Sequence, residues 1–213
     1  MFLQQSKKYG AGSMSYNLPG FNALVRRRPL YLLKLLEKYP KIIYTDIDTV
    51  WLKDPRPFLK GNHDFWAQLD GVLDGTPYVQ GFIPFFCTGF LALNKTQKTM
   101  TLLKKWNTEV TINGKLSSQV KNQPLFQKVV FEISADGRVL PTKYFPSGRQ
   151  YFEVMTDEER KDVNVIHNNF VAGKENKIER FIAFDLWSQN IKSYRKCTRS
   201  QITEDLFIRE LVF

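Results

Sequence analysis

Two aspartates one residue apart, Asp46-Ile47-Asp48, are the sharpest chemical feature of this sequence. They end a short β-branched run, Lys41-Ile42-Ile43-Tyr44-Thr45, that reads as a buried strand between Pro40 and the turn Asp54-Pro55-Arg56-Pro57. Open α/β sheets bind their ligands outside the carboxyl ends of the strands, which is where this pair falls. Alternation along an extended chain would turn Asp46 and Asp48 to one side and Ile47 away. Carboxylates that close repel each other unless a cation lies between them. Mg²⁺ or Mn²⁺, shared with the phosphates of a nucleotide, supplies that compensation. A solvated acidic turn is the bland alternative. If repulsion dominates, Asp48→Ala should leave the metal-free fold unharmed or slightly stabilised.

The elements that must position this pair are legible around it. A helical pattern runs from Phe21 to Lys38, with Leu32, Leu33, Leu35, Leu36 and Tyr39 on one stripe and Pro40 as its stop. Strands are expected at Asp64 to Leu69, Tyr78 to Ile83 and Gly89 to Leu93, then a helix from Thr96 to about Thr111. Asn122 is expected to cap a second helix that carries Pro124 in its first turn. Asp162 to Ile166 reads as a strand ending at His167, and Lys174 to Phe184 as a helix. Strands alternating with helices predict an α/β layered sheet. Three segments are expected: a poorly structured stretch 1–20, a domain 21–188 and a tail 189–213.

Composition is consistent with a single globular core. The chain has 213 residues, 43% hydrophobic, with 17 Phe, 9 Tyr and 4 Trp, enough to exclude disordered and low-complexity classes. No apolar run reaches the roughly 18 residues of a membrane span. The net charge of +10 attracts phosphates of any kind, but the basic residues are scattered in small groups (Arg26 to Arg28, Lys104-Lys105, Lys192 to Arg199) rather than one block. They read as solvated faces, and no nucleic acid partner is expected. Cys87 and Cys197 cannot form a metal site alone. Asn94-Lys95-Thr96 fits a glycosylation sequon, which matters only in a secreted context.

Two chemistries use such a strand end. Asp46-Ile47-Asp48-Thr49-Val50 resembles the nucleophile motif of haloacid dehalogenase-type phosphohydrolases, but no Asp-Asp pair and no Gly-Asp motif follows Val50 to complete that family's Mg²⁺ site, and a long helix precedes the strand. A second resemblance has far more support. Arg27-Arg28-Pro29 to Leu36, Ile43 to Pro55, Gly61 to Asp64, Asn122 to Phe126 and His167 to Phe181 together resemble the nucleotide-diphospho-sugar transferase domain. Within it the match is to glycosyltransferase family 77, known for plant xylosyltransferases that act on fucose of pectin. The blocks span residues 20 to 188 in order.

That resemblance implies an A-type glycosyltransferase fold, Rossmann-like, with a mixed sheet flanked by helices. It implies metal-dependent, retaining transfer of a sugar, xylose being the best-known case, from a UDP-sugar to a hydroxyl of a glycan or glycoconjugate. Asp46, Asp48 and His167 would hold Mn²⁺ or Mg²⁺, with Asp48 the direct ligand and Asp46 also touching the ribose or sugar. Imidazole suits Mn²⁺ better than Mg²⁺. Arg27 and Arg28 correspond to a basic pair near the nucleotide, and Asn122-Gln123 to a pair near the donor sugar. Gln123 is the catalytic candidate of the two. Asn at 122 offers no carboxylate nucleophile, which excludes double displacement through that position and favours front-face attack by the acceptor. Asn168 is expected among the substrate-binding residues, while backbone N–H groups at Gly173-Lys174 can meet a phosphate and Lys174 or Lys177 can neutralise the leaving diphosphate. Trp51, Trp66 and Trp106 could stack on sugars or fill the core. The different-class alternative is a catalytically silent carbohydrate- or nucleotide-binding module.

By analogy such enzymes are Golgi proteins, joined to the membrane through an anchor this chain does not show. The family carries a βα unit before the Arg-Arg-Pro helix, and residues 1–20 contain no run that could replace it. An upstream segment of roughly 50 to 80 residues, one or two βα units, is therefore expected, with weak UDP binding by these 213 residues alone.

Overall fold

The computed structural model describes residues 22, 24–70, 85–116, 121–187 and 208–210. The stretch 1–20, the strand expected at Tyr78 to Ile83, the basic group Lys192 to Arg199 and Cys197 lie outside the described residues. A mixed five-stranded sheet runs through the middle, in the order β5 (Gly137–Val139), β3 (Phe65–Leu69), β4 (Phe86–Asn94), β1 (Lys41–Asp46), β7 (Ile208–Glu210). Strand β4 pairs antiparallel with both β1 and β3, while β5 and β7 join parallel at the two edges. A small second sheet pairs β2 (Thr49–Trp51) antiparallel with β6 (Val165–His167).

Period-two burial explains the layers. Leu91 and Leu93 of β4 face one side, where they pack with Leu32 and Leu36 of helix α1 (Arg28–Lys38), Leu102, Leu103 and Trp106 of α2 (Gln97–Leu116), and Phe126 and Val129 of α3 (Asn122–Ile133). Phe90 and Ala92 face the other side, against Leu59, Trp66, Phe145 and Val165. A strand covered on both faces carries a continuous apolar run, as Phe90 to Leu93 does. Trp66 and Trp106 are core residues, and Trp51 packs against Phe90. A third cluster, Tyr151, Phe152, Met155, Val163, Ile166 and Phe181, lies under α5 (Lys174–Ala183). Between β5 and β6 the chain makes a π-helical turn at Gln150–Val154 and the short helix α4 (Asp157–Arg160). Thr156 and Glu159 close a capping box on α4.

Three sequence expectations need correction. The helix expected from Phe21 breaks at Arg26-Arg27, and α1 proper starts at Arg28 with Pro29 in its first turn. Asn122 is not the cap of α3: Lys121 takes that position, and Asn122 begins the helix with its side chain turned inward. Strand β1 ends at Asp46, so Ile47 and Asp48 form a turn rather than continuing the pleat. At the edge of the sheet, the backbone of β7 pairs with Tyr44, Thr45 and Asp46 of β1. At the sequon, Asn94 donates its amide to the His63 carbonyl at 2.8 Å.

Candidate functional site

The antiparallel pairing gathers several strand ends at one end of the sheet. The carboxyl ends of β1 and β3 meet the start of β4 there, bringing together Asp46, Asp70 and the segment Cys87-Thr88-Gly89. The β2–β6 pair adds His167, opposite Thr49 in the register, and the Asn168 N–H donates to the Asp48 carbonyl at 2.9 Å. The Asp-Ile-Asp turn is thereby stitched to the strand that carries the histidine. Asp46, Asp48 and His167 each offer a ligand atom within 4.8 Å of the other two.

Each aspartate divides its two oxygens between a fixed cation and the shared space. Asp46 Oδ1 accepts from Arg28 Nη2 at 2.7 Å and from the Tyr44 hydroxyl at 2.6 Å, while Oδ2 lies 3.7 Å from His167 Nε2. Asp48 Oδ2 accepts from the Lys177 ammonium, while Oδ1 lies 3.4 Å from the same Nε2. Burial alone would raise the Asp48 pKa, but His167 and Lys177 together hold the carboxyl far below its ordinary range. Burial likewise opposes charge on His167. The Cys87 sulfur and Asp48 on its two sides outweigh that effect and hold the imidazole well above its ordinary range. The repulsion expected between the two carboxylates is therefore already relieved by protein cations. Two carboxylate oxygens and one imidazole nitrogen also form a donor set that fits Mn²⁺, and Mg²⁺ less well.

Arg28, read as either a nucleotide contact or a solvated face, is buried, with Nη1 donating to Thr88 Oγ1 at 2.7 Å and Nη2 on Asp46. Arg27, just before it, is half-buried. Gln123 lies beside the sheet end: its Oε1 accepts from the Thr88 N–H at 2.8 Å, and its Nε2 donates to Asp70 Oδ2 at 2.5 Å. Asn122 Nδ2 donates to the Val25 carbonyl, and the Asn122 carbonyl accepts from the Trp106 indole. Asn168 is fully buried and donates from Nδ2 to the Lys177 carbonyl at 3.1 Å, tying α5 to the site. Gly173 caps α5 with φ +88, a conformation that suits glycine, and Lys174 follows exposed.

Sequence reasoning missed Asp70, Thr88, Gly89 and the placement of Cys87. Asp70 directly follows β3, and no motif marks it. Its carboxyl is raised above the ordinary range by burial, against the opposing pull of the Gln123 amide and of His167. A raised carboxyl favours the fold at low pH, and that contribution is lost as pH rises from about 3.9 through the folded value. Asp70→Asn should therefore gain stability relative to wild type across a thermal denaturation series from about pH 4 to 7. A difference that stays flat over that range would contradict the burial of charge.

The nucleotide-diphospho-sugar transferase model matches residues 4–181, and the chain belongs to that family. UDP-D-xylose:L-fucose alpha-1,3-D-xylosyltransferase 3 of Arabidopsis thaliana is 31% identical over 86% of this chain and 50% of its own length. UDP-galactose:fucoside alpha-3-galactosyltransferase of Dictyostelium discoideum is 27% identical over 85% of this chain and 30% of its own. The chain thus spans half or less of the length of these relatives. A crystal structure of a glycosyltransferase involved in glycosylation of the major capsid of PBCV-1 superposes with a TM-score of 0.51 at 16% identity, over 78% of this chain and 77% of that one. The mixed sheet with flanking helices is the A-type glycosyltransferase fold.

Proposed function

We propose that this chain carries the catalytic centre of a retaining glycosyltransferase that moves a sugar from a UDP-sugar to a hydroxyl of a fucosyl acceptor. The observation that carries the reading is the convergence of Asp46, Asp48 and His167 at the carboxyl end of the central strands. Both relatives described above are named for UDP donors and fucose or fucoside acceptors, while the transferred sugar differs, xylose in one and galactose in the other. A divalent cation held by the three residues would neutralise the diphosphate as it leaves.

The chain's own residues supply the rest. Arg28 and Tyr44 fix Asp46 so that Oδ2 remains directed at the site. Gln123 has its carbonyl oxygen committed to Thr88, which leaves it poorly disposed to attack an anomeric carbon and supports front-face delivery by the acceptor. Lys177 bonds Asp48 and can transfer its charge to a diphosphate, assisted by Lys174 and the N-terminus of α5. Arg27 and Asn122 lie at the start of the helices that border this end of the sheet. No helix among the described residues is long and apolar enough to cross a membrane. A Golgi setting is part of this proposal by family resemblance.

Lys177→Met gives the reading a two-sided check. With the competing ammonium gone from Asp48, Mn²⁺ binding without nucleotide should tighten several-fold, whereas UDP affinity should fall by about tenfold. Calorimetry with each ligand decides it, and no change in either would remove Lys177 from the site. The activity itself is tested by incubating the protein with Mn²⁺, a fucoside and either UDP-xylose or UDP-galactose. Mass spectrometry and NMR of the product should show one added sugar with its donor anomeric configuration kept. Intact UDP binding with no transfer from any UDP-sugar would point to the silent binding module instead.

A further inference from the structure

The imidazole of His167 is buried, and strand β4 covers it on the side away from the aspartates. Cys87 Sγ lies 3.3 Å from Nδ1, on the side of the ring away from the two aspartates. Two residues on, Gly89 leaves the space in which the ring sits: a Cβ there would fall 2.2 Å from Cε1 and 2.6 Å from Nδ1. Both positions meet the same imidazole, so sulfur and vacancy form one surface against one ring. Cys87, His167 and Asp48 are arranged in the order of a nucleophilic triad, but Cys87 is only 2% exposed, which keeps external substrates from it. The arrangement needs another purpose.

We propose that Cys87 and Gly89 are positioning residues that fix the rotation of the His167 ring, Nδ1 on the sulfur and Nε2 toward the two aspartates, for cation binding. The inference rests on the metal reading of Asp46, Asp48 and His167. A ligating Nε2 must offer its lone pair, so the ring proton must reside on Nδ1. Nδ1–H then needs a buried acceptor, usually a carboxylate or carbonyl in metal sites. Here the Cys87 sulfur fills that role, and Gly89 is the floor that any side chain would occupy. A thiol is a weak acceptor, which leaves the imidazole less electron-rich than a carboxylate partner would.

Calorimetric titration of the full chain with Mn²⁺ and with Mg²⁺, in the presence of UDP, tests this on Cys87→Ala, Cys87→Ser, Gly89→Ala and His167→Ala. Cys87→Ala should weaken Mn²⁺ binding about 10- to 100-fold, with a smaller loss for Mg²⁺. Cys87→Ser, which keeps an acceptor, should recover most of that loss. Gly89→Ala should fall to the level of His167→Ala, because the ring is evicted. A destabilised fold would lower the melting temperature without changing the ratio of Mn²⁺ to Mg²⁺ affinity, so the ratio separates positioning from packing. If His167→Ala differs from wild type while Cys87→Ala matches wild type for both ions, the cradle is wrong and the metal reading stands. If His167→Ala itself matches wild type, the metal reading fails and this inference falls with it.

Discussion

Asp48→Ala is expected to lower sugar transfer by at least about 10³-fold and, at the same time, to destabilise the fold. The activity loss follows from removing a carboxylate from the three-residue donor set, where cation stabilisation of a developing diphosphate is worth several kcal/mol. The stability loss reverses the expectation drawn from the sequence. Sequence reasoning treated Asp46 and Asp48 as a repelling pair, so that deleting one would relieve strain. In the structure Asp48 is the anion that both Lys177 and His167 face, and its side chain is only 14% exposed. Without it, two cationic groups are left pointing into the same enclosed space. About 2 kcal/mol is the expected cost, below the roughly 3–5 kcal/mol of a fully buried pair because Lys177 is partly solvated. Thermal denaturation at neutral pH measures it. A melting temperature equal to or above wild type would mean that the Lys177 and His167 contacts contribute nothing to the fold.

Arg28→Ala should have the larger effect on stability. Its side chain is 6% exposed and holds Asp46 with one nitrogen and Thr88 with the other. Truncation strands the Asp46 carboxylate beside a buried cavity, at a cost of about 3–5 kcal/mol, or roughly 10 °C in melting temperature for a chain of this size. Arg28→Lys keeps one charge but loses the planar fork that spans both partners, and should fall between the two. Transfer by either variant should drop further than stability alone requires, because Asp46 Oδ2 is aimed at the site only while Oδ1 is held. An Arg28→Ala protein within about 1 kcal/mol of wild type would return this residue to the solvated face that its place in an Arg-Arg-Arg run suggests.

The parts of the fold that were legible in the sequence are those with local signals. Ile42 to Asp46 carries β-branched residues between breakers, Phe90 to Leu93 is continuously apolar, and Lys174 follows a glycine that ends up with positive φ. Strands β2 and β5 were not seen, since three residues each give no period and their pairing depends on distant partners. The Thr156–Glu159 capping box is written in the sequence as a Thr-x-x-Glu spacing. Asn122 looked like a cap because its residue type favours caps, but its burial against Val25 and Trp106 outranked that local preference. In the site, Asp46-Ile47-Asp48 and His167 could be picked out by type and flanks. Asp70, Thr88 and Gly89 could not, because their contribution exists only once β3 and β4 are paired and β6 is laid across them. A glycine inside a strand pattern was nonetheless a readable sign that another group approaches closely there.

The most direct test of the central claim is UDP affinity measured by calorimetry on the full chain, with Mn²⁺ and with a chelator in its place. If Asp46, Asp48 and His167 hold a cation as proposed, the two values should differ by at least tenfold, and Asp48→Ala should abolish the difference while remaining folded. Equal UDP affinity with Mn²⁺ and with chelator, or a difference that survives in Asp48→Ala, would contradict it.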